Sequence, residues 1–496
     1  MPVFPRRDDK NPRQATRPAP AELLLPDESR RLDQAAAEAG VSLERLMAAA
    51  GRAVARAAMR RWRPRPVVVL AGPGNNGGDG WVAARLLEEA GWPVAVAAFG
   101  MPPENSVAAE AAGRWRGVRV PFSPEAVGRA GLVIDALFGA GLSRDLPAEA
   151  EAVLRAIRAP ILAVDVPSGL DGATGQVRGF APEAAVTVAL ERARPGHVLL
   201  PGRDLCGALE VVELGFPPGL IEALRVRCWR NGPALWRLPV PGAAMHKHSR
   251  GHVVVAAGAT MPGAARLAAA GARRAGAGLV TVAATTQGAA FLLRGVAEAG
   301  DIIADPPAEA LVGGKGKVWV LGPGMVPDDR ARDLLAKVME AGDRLVVDAG
   351  GLTLCAGAPE RLRGASIITP HGGEFGRVFG PLGDLAQTDK PEAARQAASL
   401  TGAVVVLKGS DTVVAAPDGR VAINSNAPPT LATAGSGDVL SGICGAMLGQ
   451  GLEPFEAAAA AVWLHGAAAP TGAGVVAEDV AAGIPRAFAQ WTETYA

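Results

Sequence analysis

The sequence predicts an α/β fold repeated in two consecutive units, and three observations carry that prediction. Short runs of β-branched and aliphatic residues recur at the spacing of strand–helix repeats. Polar, glycine-bearing turns follow these runs, where the ligands of open parallel sheets gather. A proline-rich, irregular stretch over 216–244 separates the two series, with a linker expected at 238–244. The expected organisation is a disordered tail over 1–20, a first domain over 21–237 and a second over 245–496.

At 496 residues the chain exceeds one typical domain and has ample length for real cores. Hydrophobic content of 49% with 63 glycines and few aromatics suits close Ala/Val packing between helices and strands. A net charge of +1 without a long basic run gives no footprint for nucleic acid or an anionic membrane. The longest apolar run, 457–464, is too short to span a bilayer. The tail is polar and rich in Arg and Pro, and it lacks a signal-peptide hydrophobic region. Cys206, Cys228, Cys355 and Cys444 are scattered without metal-ligand spacing and read as reduced thiols of a cytoplasmic protein.

In the first unit, Leu32, Ala35, Ala36, Leu43, Leu46 and Met47 fall at helical spacing over 21–60, with Gly40 dividing two segments. A buried-strand run at 67–71 feeds the glycine-rich turn 72–80 and then a helix through 82–87, which makes an anion or dinucleotide crevice. Gly72, Gly74 and Gly77 match G-x-G-x-x-G, but the next strand, 94–99, ends in Gly100 where a dinucleotide fold places an acid. Asn75, Asn76 and Asp79 supply oxygens that suit a hard cation as well as substrate hydroxyls. Strands follow at 132–135, 161–165 and 185–189, the first two ending in Asp135 and Asp165. One such Asp reads most simply as a helix cap, whereas three converging acid-bearing turns favour a ligand site.

The motifs GPGNNGGDG (72–80), DALFGAGL (135–142) and DVPSGLDG (165–172) together resemble the amino-terminal domain of the NAD(P)H-hydrate epimerase family, over about residues 21–235. The resemblance implies a Rossmann-like three-layer domain. In it Asn75, Asn76, Gly77, Gly78 and Asp79, with Gly139, Ala140, Gly141, Leu142, Ser143, Arg144 and Asp145, embrace the hydrated dinucleotide. It further implies that Asn76, Asp135 and Ser168 ligate K⁺ and that Asp165 is the acid/base that lets the hydrated ring carbon invert.

In the second unit, strands are expected at 253–256, 278–283, 318–321, 344–347, 365–368 and 403–407, with a hairpin across 412–423 and helices at 263–276 and 391–401. His246 and His248 read as a polar lead-in to the first of these strands. No G-x-x-x-x-G-K-[ST] occurs, which excludes a P-loop. Lys408 stands at a strand end before Gly409, as a phosphate clamp or a solvated lysine. His371 lies in a turn, either donating to a substrate oxygen or satisfied locally. In ATAGSGDVLSG (432–442), small residues leave backbone amides open to an anion before an apolar helix. Asp438 beside that cradle is either a helix-start residue or a group that handles a proton or a metal.

A strand-end lysine turn and a late G-x-G-D helix start resemble ribokinase-like folds. The set MPGAARLAA, LGPGM, VVDAGGL, ITPHGGEF, VVVLKGSDT and ATAGSGDVLSG resembles more closely the ADP/ATP-dependent NAD(P)H-hydrate dehydratases, over about 245–496. The resemblance implies a ribokinase-like α/β domain in which Ala264, Gly324, His371 and Asp438 contact the hydrate, and Lys408, Gly409, Ser410, Asp411, Thr412 and Gly437 contact the nucleotide. Asp438 then activates the hydrate hydroxyl, and Mg²⁺ with ADP or ATP completes the site. The chain departs from the pattern at Asp348-Ala-Gly-Gly-Leu352, which lacks a second acid, and at Ser425-Asn-Ala-Pro-Pro429 before the glycine-rich turn.

The resulting expectation is an α/β protein with a Rossmann-like domain followed by a ribokinase-like domain. Its expected partners are hydrated NADH or NADPH and ADP or ATP, in a cytoplasmic homo-oligomer without nucleic acid or membrane. The rival readings are a small-molecule kinase releasing a stable phosphorylated product and a nucleotide-sensing protein without catalysis.

Overall fold

The computed structural model describes residues 21–239, 242, 245–258, 260–296, 302–304, 308–313 and 316–495; the expected tail and most of the expected linker lie outside them. Strands β1 (Val67–Ala71), β2 (Val94–Ala98), β3 (Val118–Val120), β4 (Leu132–Ala136), β5 (Ile161–Val164), β6 (Val186–Leu190) and β7 (Ala208–Val212) form one sheet in the order β3-β2-β1-β4-β5-β6-β7. Every pairing in it is parallel. The order reverses between β1 and β4, the switch point where α/β sheets bind ligands. The central strands are continuous aliphatic runs because helices cover both faces, and β1 and β4 are buried at every position.

The second sheet holds β8 (Cys228–Arg230), β9 (His252–Ala257), β10 (Leu279–Ala284), β11 (Ile302–Ala304), β12 (Lys317–Leu321), β13 (Arg344–Val347), β14 (Ile367–Ile368), β15 (Val404–Leu407), β16 (Val413–Ala415) and β17 (Val421–Ile423). Its order is β11-β10-β9-β12-β13-β14-β15-β16-β17-β8. The 412–423 hairpin is present as the antiparallel β16–β17 pair. The helix Ser436–Gly449 packs closely on the helix Pro262–Arg274: a Cβ on Gly442 would stand 1.9 Å from the Ala268 carbonyl oxygen. That close approach needs glycine and fixes the helix that carries Asp438.

The strands expected from long apolar runs are all present, and the expected helical region 21–60 is two helices, Pro26–Glu38 and Leu43–Arg61, broken at Gly40. Short edge strands β3, β7, β8 and β11 gave no usable pattern. Two further differences matter. The helix expected from Val82 begins at Asn75, so Asn75, Asn76 and Asp79 belong to its first turns. And β8, which precedes the expected linker, pairs with β17 and closes the edge of the second sheet.

β8 brings Asn231 and Trp236 with it. The Asn231 amide donates to Asn424 Oδ1 (3.0 Å) and to the Ala459 carbonyl (2.8 Å), and Trp236 and Leu238 lie in the apolar core of the second sheet. In turn Leu23, Ala193, Val198 and Leu199 share one continuous apolar core with Cys228, Phe375, Leu407 and Ile423, so the two units are joined through buried surface. A fragment of residues 238–496 is therefore expected to be less stable to urea than one of residues 226–496, because it leaves the outer edge of β17 unpaired and Asn424 Oδ1 without the Asn231 donor. Equal unfolding midpoints for the two fragments would contradict this placement of β8.

Candidate active sites

The first site lies at the carboxyl ends of β4 and β5. A cavity of about 670 Å³ opens there, lined by Asn75, Asn76, Asp79, residues 139–144, Asp165 and Arg194, and roofed by Leu24, Ser29 and Asp33. Asp165 follows β5 in the left-handed region (φ +63°), a costly conformation for a residue other than glycine, which aims its carboxylate across the strand end. Its Oδ2 accepts from the Ala140 N–H (2.9 Å) and its Oδ1 from Arg194 Nε and Nη2 (3.3 and 3.2 Å). Burial pushes this carboxyl up, but the Arg194 guanidinium and the Ala140 N–H outweigh it and hold it below the usual range.

His197 completes the support. Its Nδ1 accepts from the Arg194 N–H (2.8 Å), so the ring proton sits on Nε2 and is donated to the Asp165 carbonyl (2.7 Å). Burial lowers this histidine to about 4, which keeps it neutral. Asp79 has the opposite poise to Asp165. Burial first, and then the negative charges of Asp165 and Asp33, push its carboxyl well above the ordinary value. Two carboxyls poised in opposite directions in one cavity are an acid/base pair in waiting.

Asp135 is fully buried at the end of β4; Ser168 donates to it from Oγ (2.6 Å) and N (2.8 Å), and Leu137 N donates at 3.3 Å. Asn76 presents its amide oxygen beside Gly139, while its buried Nδ2 has no partner among the described residues. Of the expected binding residues, Gly77 and Gly78 pack rather than line the cavity. A Cβ on the first would meet the Gly72 carbonyl at 1.9 Å, and one on the second the Met47 side chain at 2.4 Å. Asp145 is exposed and likewise does not line it. Arg194, His197 and Asp33 were missed. The polar turn after β6 was the one signal for the first two.

The second site lies where β13, β14 and β15 end and the helix Ser436–Gly449 begins. Lys408, mostly buried, donates to Asp348 Oδ1 (2.8 Å) and stands 3.9 Å from Glu374 Oε2. Its ammonium also lies against Gly437, where a Cβ would come within 3.2 Å. It is thus no solvated lysine. Asp348 is held from its other oxygen by the Ser441 hydroxyl, and its Oδ1 caps the short helix Ala349–Thr353 through the Ala349 N–H (2.9 Å). Asp438 lies in the first turn of its helix. Burial and the charge of Asp348 raise its carboxyl to about 6, against the lowering effect of Lys408.

His371 is the N-cap of the helix Gly372–Phe379, where Nδ1 accepts from the N–H groups of Gly373 and Glu374 (3.0 and 3.4 Å). That places the ring proton on Nε2, which stands 3.7 Å from Glu374 Oε2 at the cavity of about 380 Å³ that His371 shares with Lys408, Gly437 and Asp438. A second cavity of about 260 Å³ adjoins it across Lys408, Gly409, Ser436 and Gly437. Ser410, Thr412 and Asn424 line that second cavity, with Pro428 and Pro429 of the departed 425–429 loop and the buried His465. His465 Nε2 donates to the Ser436 carbonyl (2.9 Å) and steadies the helix start; sequence reasoning missed it.

Three expected residues fall elsewhere. Asp411 turns out of this smaller cavity to meet Lys390 (2.6 Å) and the Leu200 N–H (3.0 Å). Ala264 and Gly324 lie against each other without lining the Asp438 cavity. The missing second acid is replaced by Gly350, where a Cβ would meet the Met325 carbonyl at 2.3 Å, so the backbone here is fitted to glycine. The four cysteines are buried; burial pushes Cys206 and Cys228 up to about 12 and Cys355 to about 11, and Cys444 is raised as well, which leaves them inert as thiolates.

Comparison with known proteins matches residues 253–478 to the family NAD(P)H-hydrate dehydratase and residues 43–196 to the family YjeF-related protein N-terminus. A bifunctional NAD(P)H-hydrate repair enzyme of Coxiella burnetii is 35% identical over 461 residues, covering 89% of this chain and 92% of that protein. The enzyme of the same name from Escherichia coli is 35% identical over 91% of this chain and 89% of its own length. Among solved structures, an ADP/ATP-dependent NAD(P)H-hydrate dehydratase of Bacillus subtilis co-crystallised with ATP and Mg²⁺ is 29% identical, with a TM-score of 0.45, covering 51% of this chain and 94% of that one.

The charges around Lys408 give a direct test. The Asp438 carboxyl is expected to titrate near pH 6, and Lys408→Met is expected to move it higher by removing the one lowering cation. Carboxyl NMR of the parent, with Asp438→Asn for assignment, reads both. A midpoint in the ordinary carboxylate range, or a downward shift in the Lys408 variant, would contradict the geometry.

Proposed function

The chain belongs to the family of bifunctional NAD(P)H-hydrate repair enzymes, and on that premise we propose how its two sites divide the work. The first domain interconverts the (R) and (S) epimers of hydrated NADH or NADPH. The second dehydrates the (S) epimer back to the reduced nucleotide at the expense of ADP or ATP. With ADP, the hydrate and ADP yield the reduced dinucleotide, AMP, phosphate and a proton.

In the first domain Asp165, held ionised by Arg194, exchanges a proton with the substrate while Asp79, whose carboxyl burial pushes well above the ordinary value, supplies one. The loop 139–144 and Asn75 and Asn76 position the dinucleotide, and the Ala140 N–H ties Asp165 to that loop. Asp135 fits a cation ligand, because it is buried among uncharged donors; Asn76 and Ser168 add oxygens. We assign these three residues to K⁺, which would supply fixed positive charge beside the substrate.

In the second domain the nucleotide occupies the 260 Å³ cavity and the hydrate the 380 Å³ one, so that the terminal phosphate meets Lys408 and the amides of the helix start between them. Mg²⁺ bound with the nucleotide would neutralise charge on its phosphates. Asp438 takes the proton of the hydrate hydroxyl, whose oxygen attacks the terminal phosphorus as the nucleotide's bridging P–O bond breaks. His371 Nε2–H steadies the substrate oxygen. The phosphate then leaves as the ring nitrogen lone pair moves in, and loss of the neighbouring ring proton restores the double bond. A cytoplasmic homo-oligomer is the setting we propose for it.

The observation that carries this reading is Asp438, raised to about 6 at a helix start beside a buried lysine. Asp438→Asn is expected to lower dehydration at least a hundredfold while ADP still binds. Dehydration by the parent should rise with pH through about 6, as the base loses its proton. Asp165→Asn should leave (S)-hydrate repair intact and reduce use of the (R) epimer to its spontaneous rate. Chromatography of the two epimers reads all three. Retained turnover in the first variant, rapid (R) consumption in the second, or a stable phosphorylated product would overturn the corresponding assignment.

A further inference from the structure

Residues 194–203 touch both sites. At one end Arg194 and His197 hold the Asp165 carboxylate and carbonyl. At the other end the segment crosses to the second domain. The Leu200 N–H donates to Asp411 Oδ2 at 3.0 Å, and Arg203 Nη1 donates to the Ser410 carbonyl at 2.9 Å. Asp411 is buried there and is also held by Lys390, which donates to its Oδ1 (2.6 Å) and its carbonyl (3.2 Å). Between the two ends, Val198 and Leu199 are buried in the core that joins the domains. The segment is therefore pinned along its length, and its contacts on the second domain fall on the loop 408–412, whose Gly409, Ser410 and Thr412 line the smaller cavity.

We propose that this strap is a positioning element for the nucleotide loop, with Arg203 as its positioning residue, so that nucleotide affinity in the second domain depends on the first. The inference rests on reading the second site as nucleotide-dependent. Its physical basis is preorganisation. A glycine-bearing loop free to move must be ordered when the phosphates arrive, and that cost is subtracted from binding; anchoring Ser410 and Asp411 beforehand removes it. The contacts act on binding alone, because none of them reaches Asp438 or His371. Arg203 lies outside all three cavities, so its effect on the nucleotide passes through the loop.

The test uses the full chain with Arg203→Ala and Arg203→Lys. Calorimetry gives the Kd for ADP with Mg²⁺, and steady-state assays give KM and kcat for dehydration beside the rate of epimerisation and the Tm. The alanine variant is expected to raise the Kd and KM for ADP about fivefold, the effect of one lost hydrogen bond, with kcat and epimerisation unchanged. Lysine, which still donates to the Ser410 carbonyl, should recover part of the loss. An unchanged Kd in Arg203→Ala, or a matching fall in kcat, epimerisation and Tm, would overturn the strap. Failure of the parent chain to bind ADP would overturn the nucleotide reading and the strap with it, whereas normal parental binding with an unaffected variant overturns the strap alone.

Discussion

The second half of the molecule is arranged around one buried ammonium. Lys408 stands among Asp348, Glu374 and Asp438, three acids drawn from three different strand and helix ends. Without that cation their mutual repulsion in a desolvated cleft would force at least one to take a proton or the cleft to open. With it, Asp348 stays tied to the lysine and to Ser441, and Asp438 is left as the carboxyl closest to exchange with a substrate. The close packing of the helix Ser436–Gly449 on the helix Pro262–Arg274 holds that geometry, and His465 fixes the first turn from below.

The first domain solves the reverse problem with the same means. There Arg194 is paired with Asp165, and burial together with the charge of Asp165 raises the carboxyls of Asp79 and Asp33. A permanently charged guanidinium keeps one carboxylate ionised, and burial pushes the other toward holding its proton. The two sites therefore differ in which carboxyl is left poised, and the difference follows from where each cation sits.

Much of this was legible in the sequence. Runs such as 67–71 and 253–256 are aliphatic throughout because helices cover both faces of their sheets, so they announce buried parallel strands. Asp165 and Lys408 stood out because parallel sheets display chemistry at strand ends, and Asp438 because it opens a helix after a glycine-rich turn. Their partners were not. Arg194, His197, Asp33 and His465 come from segments whose local pattern is ordinary, and only tertiary folding carries them to the site. β8 was invisible for a similar reason: three residues with a mixed burial pattern gain strand geometry only by pairing with β17. Asp411 shows the limit within a motif. On a tight loop, neighbouring side chains face opposite directions, so it serves the domain boundary while Ser410 and Thr412 serve the cavity.

Both sites in one chain imply that the whole hydrate pool, and not one epimer, is open to repair. The most direct measurement supplies the full chain with an equilibrium mixture of (R)- and (S)-hydrated NADH and excess ADP with Mg²⁺, and follows reduced-nicotinamide absorbance to its end point. The account predicts rapid and complete recovery of both epimers with one AMP formed per NADH. Recovery that halts at the (S) fraction, or none with either ADP or ATP, would contradict it.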